Sequence, residues 1–147
     1  MQGIRQARDY DQWAIRGIKS SEFAILTDHM HMGTFGLSVE EHKELKGYPV
    51  LRKGKKIAHN GDLRSGMTAL ELAVITFAEN VSTGLHIQRD SQGFTEVARD
   101  VGDAASLAKD NRLKREEMTR QPVVSATNML HERDGGLWSL LPPPENA

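Results

Sequence analysis

The stretch GDLRSGMTALELAVITF, Gly61 to Phe77, decides how the rest of the chain is read. Its second half is a helix start. Thr68 and Glu71 stand in T-x-x-E spacing, a capping box in which each side chain satisfies a backbone donor that the first turn leaves without a partner. Met67, just before the cap, is spaced to staple against Leu72. Leu70, Val74, Phe77, Val81 and Leu85 then recur every three or four residues, which is one helical stripe. Leu72, Ile75 and Ala78 lie off that stripe, so the helix is apolar on more than one side and is expected to be central. The first half is a polar turn of Asp62, Arg64, Ser65 and Gly66. It either caps a core helix or faces a partner.

Downstream, after RDSQG, a second long pattern starts near Phe94. Phe94, Val97, Val101, Ala104, Ala105 and Ala108 form a stripe rich in small residues. Ala98, Gly102 and Ala105 would let another backbone come close. The charged KDNRLKREEMTR reads as the solvent-facing or fraying end of this helix, and Pro122 stops it. VVSATNML is a short extended piece or one helical turn, and 131–147 is a tail whose Leu137, Trp138, Leu140 and Leu141 are available to dock.

Upstream, Ser38 and Glu41 make another capping box, for LSVEEHKELKG. Gly47 is placed to close that helix in a left-handed conformation, with Pro49 just beyond. Ser20 and Ser21 offer an N-cap to EFAILTDHM, whose Phe23, Ile25, Leu26 and Met30 suit a short buried helix ended by Gly33 and Gly36. Residues 1–19 form an arm with scattered apolar positions (Ile4, Tyr10, Trp13, Ile15, Ile18), expected to need a partner chain to bury Trp13. Leu51 to Asp62 reads as a loop because of two glycines, an Asn-Gly pair and clustered charge. No strict alternation runs longer than four or five residues, and no segment repeats. The expected fold is mainly α: a small helical domain over 20–130 with two long helices, one or two short ones and adhesive termini.

Composition narrows the function classes. A chain of 147 residues can bury one core without staples. Aromatic residues make up only 5%, so small aliphatic side chains do most of the packing. With no cysteine there is neither a disulfide nor a thiolate metal site, which fits a reducing cytoplasm. MQGIRQARDYDQW has no apolar core of a secretory signal, and no apolar run approaches the roughly 20 residues that span a bilayer. The net charge of −1 argues against a surface wholly given to nucleic acid. Charge is uneven: ten Lys/Arg against seven Asp/Glu in 1–60, nine against thirteen in 61–147.

Chemical motifs are sparse. Asp28 to Met32, DHMHM, sets His29 and His31 in H-x-H spacing, which chelates from a strand; on a helix the two diverge by about 200°. The context is helical and no third ligand is near, so a polar turn is the default reading. His59 with Asp62 reads as a loop contact. Ser65-Gly66 lacks the G-x-S-x-G elbow, and no dinucleotide or phosphate-loop glycine pattern occurs. No catalytic residue, metal site or cofactor is expected. The densest cations are Arg52, Lys53, Lys55 and Lys56, with Lys43 and Lys46 on the preceding helix. They suit phosphate or partner contact, against a default of a solvated loop.

Three segments carry a resemblance: SSEFAILTDHMHMGTFGLSVEEHKELKGY, then GDLRSGMTALELAVITFAENVSTGLHIQRDSQGF, then GDAASLAKDNRLKREEMTRQPVVSATNML. Together, from about Ser20 to Leu130, they resemble the C-terminal region of the DNA-damage-inducible protein D (DinD) family and related prophage proteins with a BRO-type domain. The carriers are the helix led by Phe23, the short helix ending in Lys46-Gly47, the Leu63/Met67/Leu70-Glu71-Leu72 block and the TRQPVVSATN ending.

The resemblance implies a non-enzymatic cytoplasmic protein of the SOS response or of phage biology, acting on a protein partner such as a RecA-type recombinase filament. Two departures stand out. A short arm precedes Ser20 where relatives carry a BRO-like domain, and Ser65-Gly66 replaces an Asp-His pair. The expected partner is therefore a recombinase, DNA-metabolism or defence protein, with weak DNA contact and self-association as further options and no membrane. Rival readings are a nucleic-acid accessory protein using the basic loop, a phage inhibitor of host defence, and an assembly subunit latching through Trp13 and Trp138.

Overall fold

Thr68 opens the long helix as its sequence predicts. Its Oγ1 accepts from the Glu71 amide at 3.2 Å, and Glu71 Oε1 accepts from the Thr68 amide at 2.8 Å. In the computed structural model, residues 11–47 and 63–129 are described, together with the backbone of 51–52 and 55–56. In chain order the helices are α1 (its described part 11–15), α2 (Ser20–Phe35), α3 (Val39–Leu45), α4 (Leu63–Gly66), α5 (Ala69–Arg89) and α6 (Gly93–Thr119). The fold is mainly α, with two long helices as expected.

Local rules account for most of the ends. Ser38 and Glu41 close their predicted box on α3, and Gly36 and Gly47 stop α2 and α3 at φ +81° and +87°, a region open to glycine without steric cost. Two expectations for α2 are corrected. Its N-cap is Lys19, whose amide donates to Glu22 Oε1 at 2.9 Å, while Ser20 is already helical. Gly33 does not end the helix. It lies inside α2 where the methyl of Ala105 presses in, 2.7 Å from where a Cβ on Gly33 would stand. The α6 helix ends at Thr119 with Arg120 left-handed, two residues before Pro122.

Packing corrects the expected centre. The helix flanked on both sides is α6, which lies along both α2 and α5, while α2 and α5 touch each other much less. The physical reason is the small-residue stripe: Val97, Val101, Ala104, Ala105 and Ala108 are all buried, and alanine permits close approach on two sides at once. On α5 only Val74 of the predicted stripe is fully buried. The buried line runs instead through Glu71, Val74, Ile75, Ala78, Ser82, Thr83 and His86. Leu70, Leu72 and Phe77 are half-buried on its flanks.

The N-terminal segment buries Trp13 and Ile18 in this same core, Trp13 being 1% exposed. Its indole meets the Phe23 ring edge-on, with centroids 5.5 Å apart. A partner chain is therefore not what buries Trp13. The expected loop at 51–62 contains a small antiparallel pairing, Leu51 opposite Lys56 and Arg52 opposite Lys55. His59, Asp62 and the tail with Trp138 lie outside the described residues. Among the described residues no helix is long and apolar enough to cross a membrane.

Candidate functional site: two buried polar clusters and an apolar groove

Glu71 does more than cap α5. Its side chain is fully buried, and its two oxygens gather groups from three other parts of the chain. Oε1 accepts from Lys46 Nζ at 2.5 Å as well as from Thr68, while Oε2 accepts from His42 Nε2 at 2.8 Å and, at 3.5 Å, from the Ser125 amide. Lys46 also donates to the Thr127 carbonyl, and its own carbonyl accepts from Asn128 Nδ2 at 2.9 Å. His42 Nδ1 lies 2.8 Å from His31 Nε2. One chain of polar contacts thus joins α2, α3, α5 and the segment after α6. Phe35 covers both imidazoles, with centroids 4.8 and 5.1 Å away.

Charge in this cluster is set by competing terms. Burial pushes the Glu71 carboxyl upward, but hydrogen bonds from His42, Lys46 and the Thr68 amide outweigh it and hold the group below its usual range. Glu71 is therefore an anion and only accepts, so His42 carries a proton on Nε2. Burial, then the neighbouring His42 and Arg64, holds His31 down at about 3. His31 is neutral at every physiological pH.

The second cluster lies at the corner between α5 and α6. An indole N–H only donates, and Trp13 Nε1 is 3.0 Å from His86 Nε2, so that nitrogen must be unprotonated. His86 Nδ1–H then donates to Asp100 Oδ2 at 2.9 Å. Burial keeps His86 below its ordinary value, opposed by Asp100 and helped by Arg16. Asp100 also accepts from Ser91 Oγ and, at 2.8 Å, from Arg89. These bonds overcome its burial and keep it ionised. Arg89 reaches Asp103 at 2.9 Å as well, and its guanidinium is raised by both carboxylates.

Ser82 Oγ, 3.1 Å from His86 Nε2, completes the connectivity of a Ser–His–Asp relay. All three side chains are at 0% exposure, and Trp13 sits on the imidazole nitrogen that would have to serve a substrate. This arrangement tethers elements.

The open surface lies elsewhere. Ala69, Leu72, Ala73, Thr76, Phe77 and Asn80 of α5 form a groove of about 390 Å³, rimmed by Arg115 of α6. A second hollow of about 470 Å³ follows Ala24, Ile25, Asp28, His29 and Met32 along α2.

Of the predicted site residues, Lys46 is corrected: its side chain is at 0% exposure and ion-paired to Glu71, so it contacts the interior. Trp13 is corrected likewise. Lys43 is half-exposed on α3. Arg52, Lys55 and Lys56 belong to the small pairing by their backbone; their side chains, all of Lys53, and Trp138 lie outside the described residues. DHMHM splits three ways: Asp28 Oδ1 accepts from the Val39 amide at 2.8 Å, His29 is exposed beside Gly102, and His31 is buried. Ser65-Gly66 is the end of α4, next to Arg64, which ion-pairs with Glu79.

The residues that reasoning from sequence passed over are His42, Glu71, His86 and Asp100. A signal existed: positions 71, 75, 78, 82 and 86 keep helical spacing as well as the apolar stripe does, once polar residues are admitted to it. Set against protein families, characterised proteins and solved structures, the chain matches none of them.

Proposed function

We propose that this chain is a non-enzymatic, DinD-like binding protein whose target is a protein of the DNA-damage response or of recombination, of the RecA-filament type. The observation that carries the reading is the groove on α5: apolar along Leu72, Ala73 and Phe77, open, and edged by the Arg115 guanidinium. Such a strip suits an amphipathic helix with an acidic residue beside its apolar anchors. The titratable clusters support the same reading, since each is enclosed and spends its hydrogen bonds within the chain. The target class comes from the resemblance over Ser20 to Leu130.

Co-sedimentation with a recombinase filament assembled on single-stranded DNA tests it. The unsubstituted chain is expected to pellet with the filament. Ala73→Arg, an exposed position on a helix that tolerates arginine, should weaken capture at least tenfold with unchanged circular dichroism. Failure of the unsubstituted chain to pellet removes the recombinase target, and equal capture of Ala73→Arg moves the surface away from α5.

A second reading, a nucleic-acid accessory protein, is favoured by the pairing of Leu51–Arg52 with Lys55–Lys56, which gathers four cations within five residues. It requires DNA binding that falls steeply with salt. No binding at low salt eliminates it.

A further inference from the structure

We infer that residues 11–18 are an acid-released strap, closed over the α5–α6 corner while His86 is neutral and let go when His86 takes a proton. Several polar tethers run from it to that corner. Trp13 donates to His86, Arg16 donates to the Ser91 carbonyl at 3.0 Å and pairs with Asp90 at 3.2 Å, and the Gly93 amide donates to the Arg16 carbonyl at 2.8 Å.

The Trp13–His86 bond has only one polarity. Protonating Nε2 would set two N–H donors against each other at 3.0 Å, and the indole cannot turn into an acceptor. The imidazolium has another partner at hand, because Ser82 Oγ, 3.1 Å from the same nitrogen, accepts as readily as it donates. It needs only that Trp13 leave.

The charged neighbours divide the same way. Facing His86 among the described residues are Asp100 of α6, which supports the cation from the Nδ1 side, and Arg16 of the strap, which opposes it. Arg89, at the end of α5, is neutralised by Asp100 and Asp103, and Asp90 is taken by Arg16. Opening the strap removes two groups hostile to the imidazolium, Trp13 and Arg16, and leaves two friendly ones, Asp100 and Ser82. Burial keeps the closed form neutral at pH 7, so release starts below the ordinary value of 6.5 and gains up to tenfold per pH unit. The open strap removes the Trp13 indole from the half-buried Phe23 ring and so widens the apolar surface there.

Trp13 is itself the probe. Trp138→Phe leaves it the single tryptophan of the chain. At pH 7.5 its emission should be blue-shifted and shielded from acrylamide. By pH 5 the quenching constant should rise at least threefold while far-ultraviolet circular dichroism keeps its helical form. His86→Gln in the same background should abolish the pH dependence, because a glutamine amide accepts from Trp13, donates to Asp100 and takes up no proton.

Three results overturn the inference: Trp13 still shielded at pH 5, the same rise in His86→Gln, or exposure only together with loss of helix. Should His86→Gln not fold, nuclear magnetic resonance of the unsubstituted chain decides. The Trp13 indole proton is expected to lose protection in step with protonation of His86 Nε2, and two separate steps refute the link.

Discussion

At the scale of single residues, the most consequential side chain is Glu71. A carboxylate at the third position of a helix is ordinarily a surface cap, contributing about 1 kcal/mol with its Ser or Thr partner. Here the same group is the counter-ion of a fully buried lysine and the acceptor for a buried histidine. Removing its charge leaves Lys46 buried without an anion, which costs far more than the lost bond. Glu71→Gln is therefore expected to destabilise the fold by about 3–5 kcal/mol, read from urea unfolding. Adding Lys46→Met should recover part of that loss, because the orphaned cation is gone. A single-variant cost under about 1 kcal/mol would mean that Glu71 acts as a cap and nothing more. Which of these roles Glu71 plays is invisible at the level of the motif, since T-x-x-E reads identically on a wet and on a dry helix start.

At the scale of elements, the features legible in the sequence are those that neighbours in the chain decide. The Ser38 and Thr68 boxes, the left-handed Gly47 and the alanine stripe of α6 depend on residues within one or two turns, and all are present. Features that a distant element decides are not legible there. Gly33 looked like a stop and is a contact point. A β-carbon there would meet the Ala105 methyl at 2.7 Å, with packed helix backbone behind both. Gly33→Ala should cost about 1–3 kcal/mol by overpacking, in spite of alanine's better helix propensity.

Gly102 offers the control. Its new methyl would meet only the His29 ring, with Nε2 nearest at 3.2 Å, on an exposed side chain able to swing aside. Gly102→Ala should therefore be neutral or stabilise by up to about 1 kcal/mol, the propensity gain alone. Thermal melts of the two variants compare them directly. Equal shifts would dissolve the claimed close approach of α2 and α6.

At the scale of the whole molecule, buried histidines make stability depend on pH. His31 is held at about 3 in the fold against 6.5 when free. Below 6.5 the unfolded chain takes up a proton that the folded chain refuses, so this contribution is complete above 6.5 and is lost as pH falls toward 3. At pH 5 the loss from His31 amounts to about 2 kcal/mol. His86, also lowered, acts in the same direction. Glu71 and Asp100, both held below their ordinary values, add losses only once pH falls below 4.5 and 3.8 respectively. Urea midpoints should therefore decline between pH 7 and 5, before Glu71 and Asp100 add their share. In His31→Gln, where an amide can still meet His42 Nδ1, that decline should shrink by the His31 share. A flat profile over this window would contradict the burial of both imidazoles.

By itself the sequence determined the mainly helical class, the beginnings of α3, α5 and α6, the end of α3, and the small-residue face along which α6 packs. Each follows from spacing and caps within a few residues, where propensity and local hydrogen bonding dominate. Tertiary structure alone decided that α6 rather than α5 is shared by two neighbours, and that Trp13 belongs to the core. It also decided that Lys46, a candidate for outside contacts, is turned inward. The physical reason is the same in each case. A buried polar or charged side chain is tolerable only when its partner arrives, and here the partners stand 25 residues away for Lys46 and Glu71 and 73 for Trp13 and His86. No periodicity measured along a single helix records that meeting.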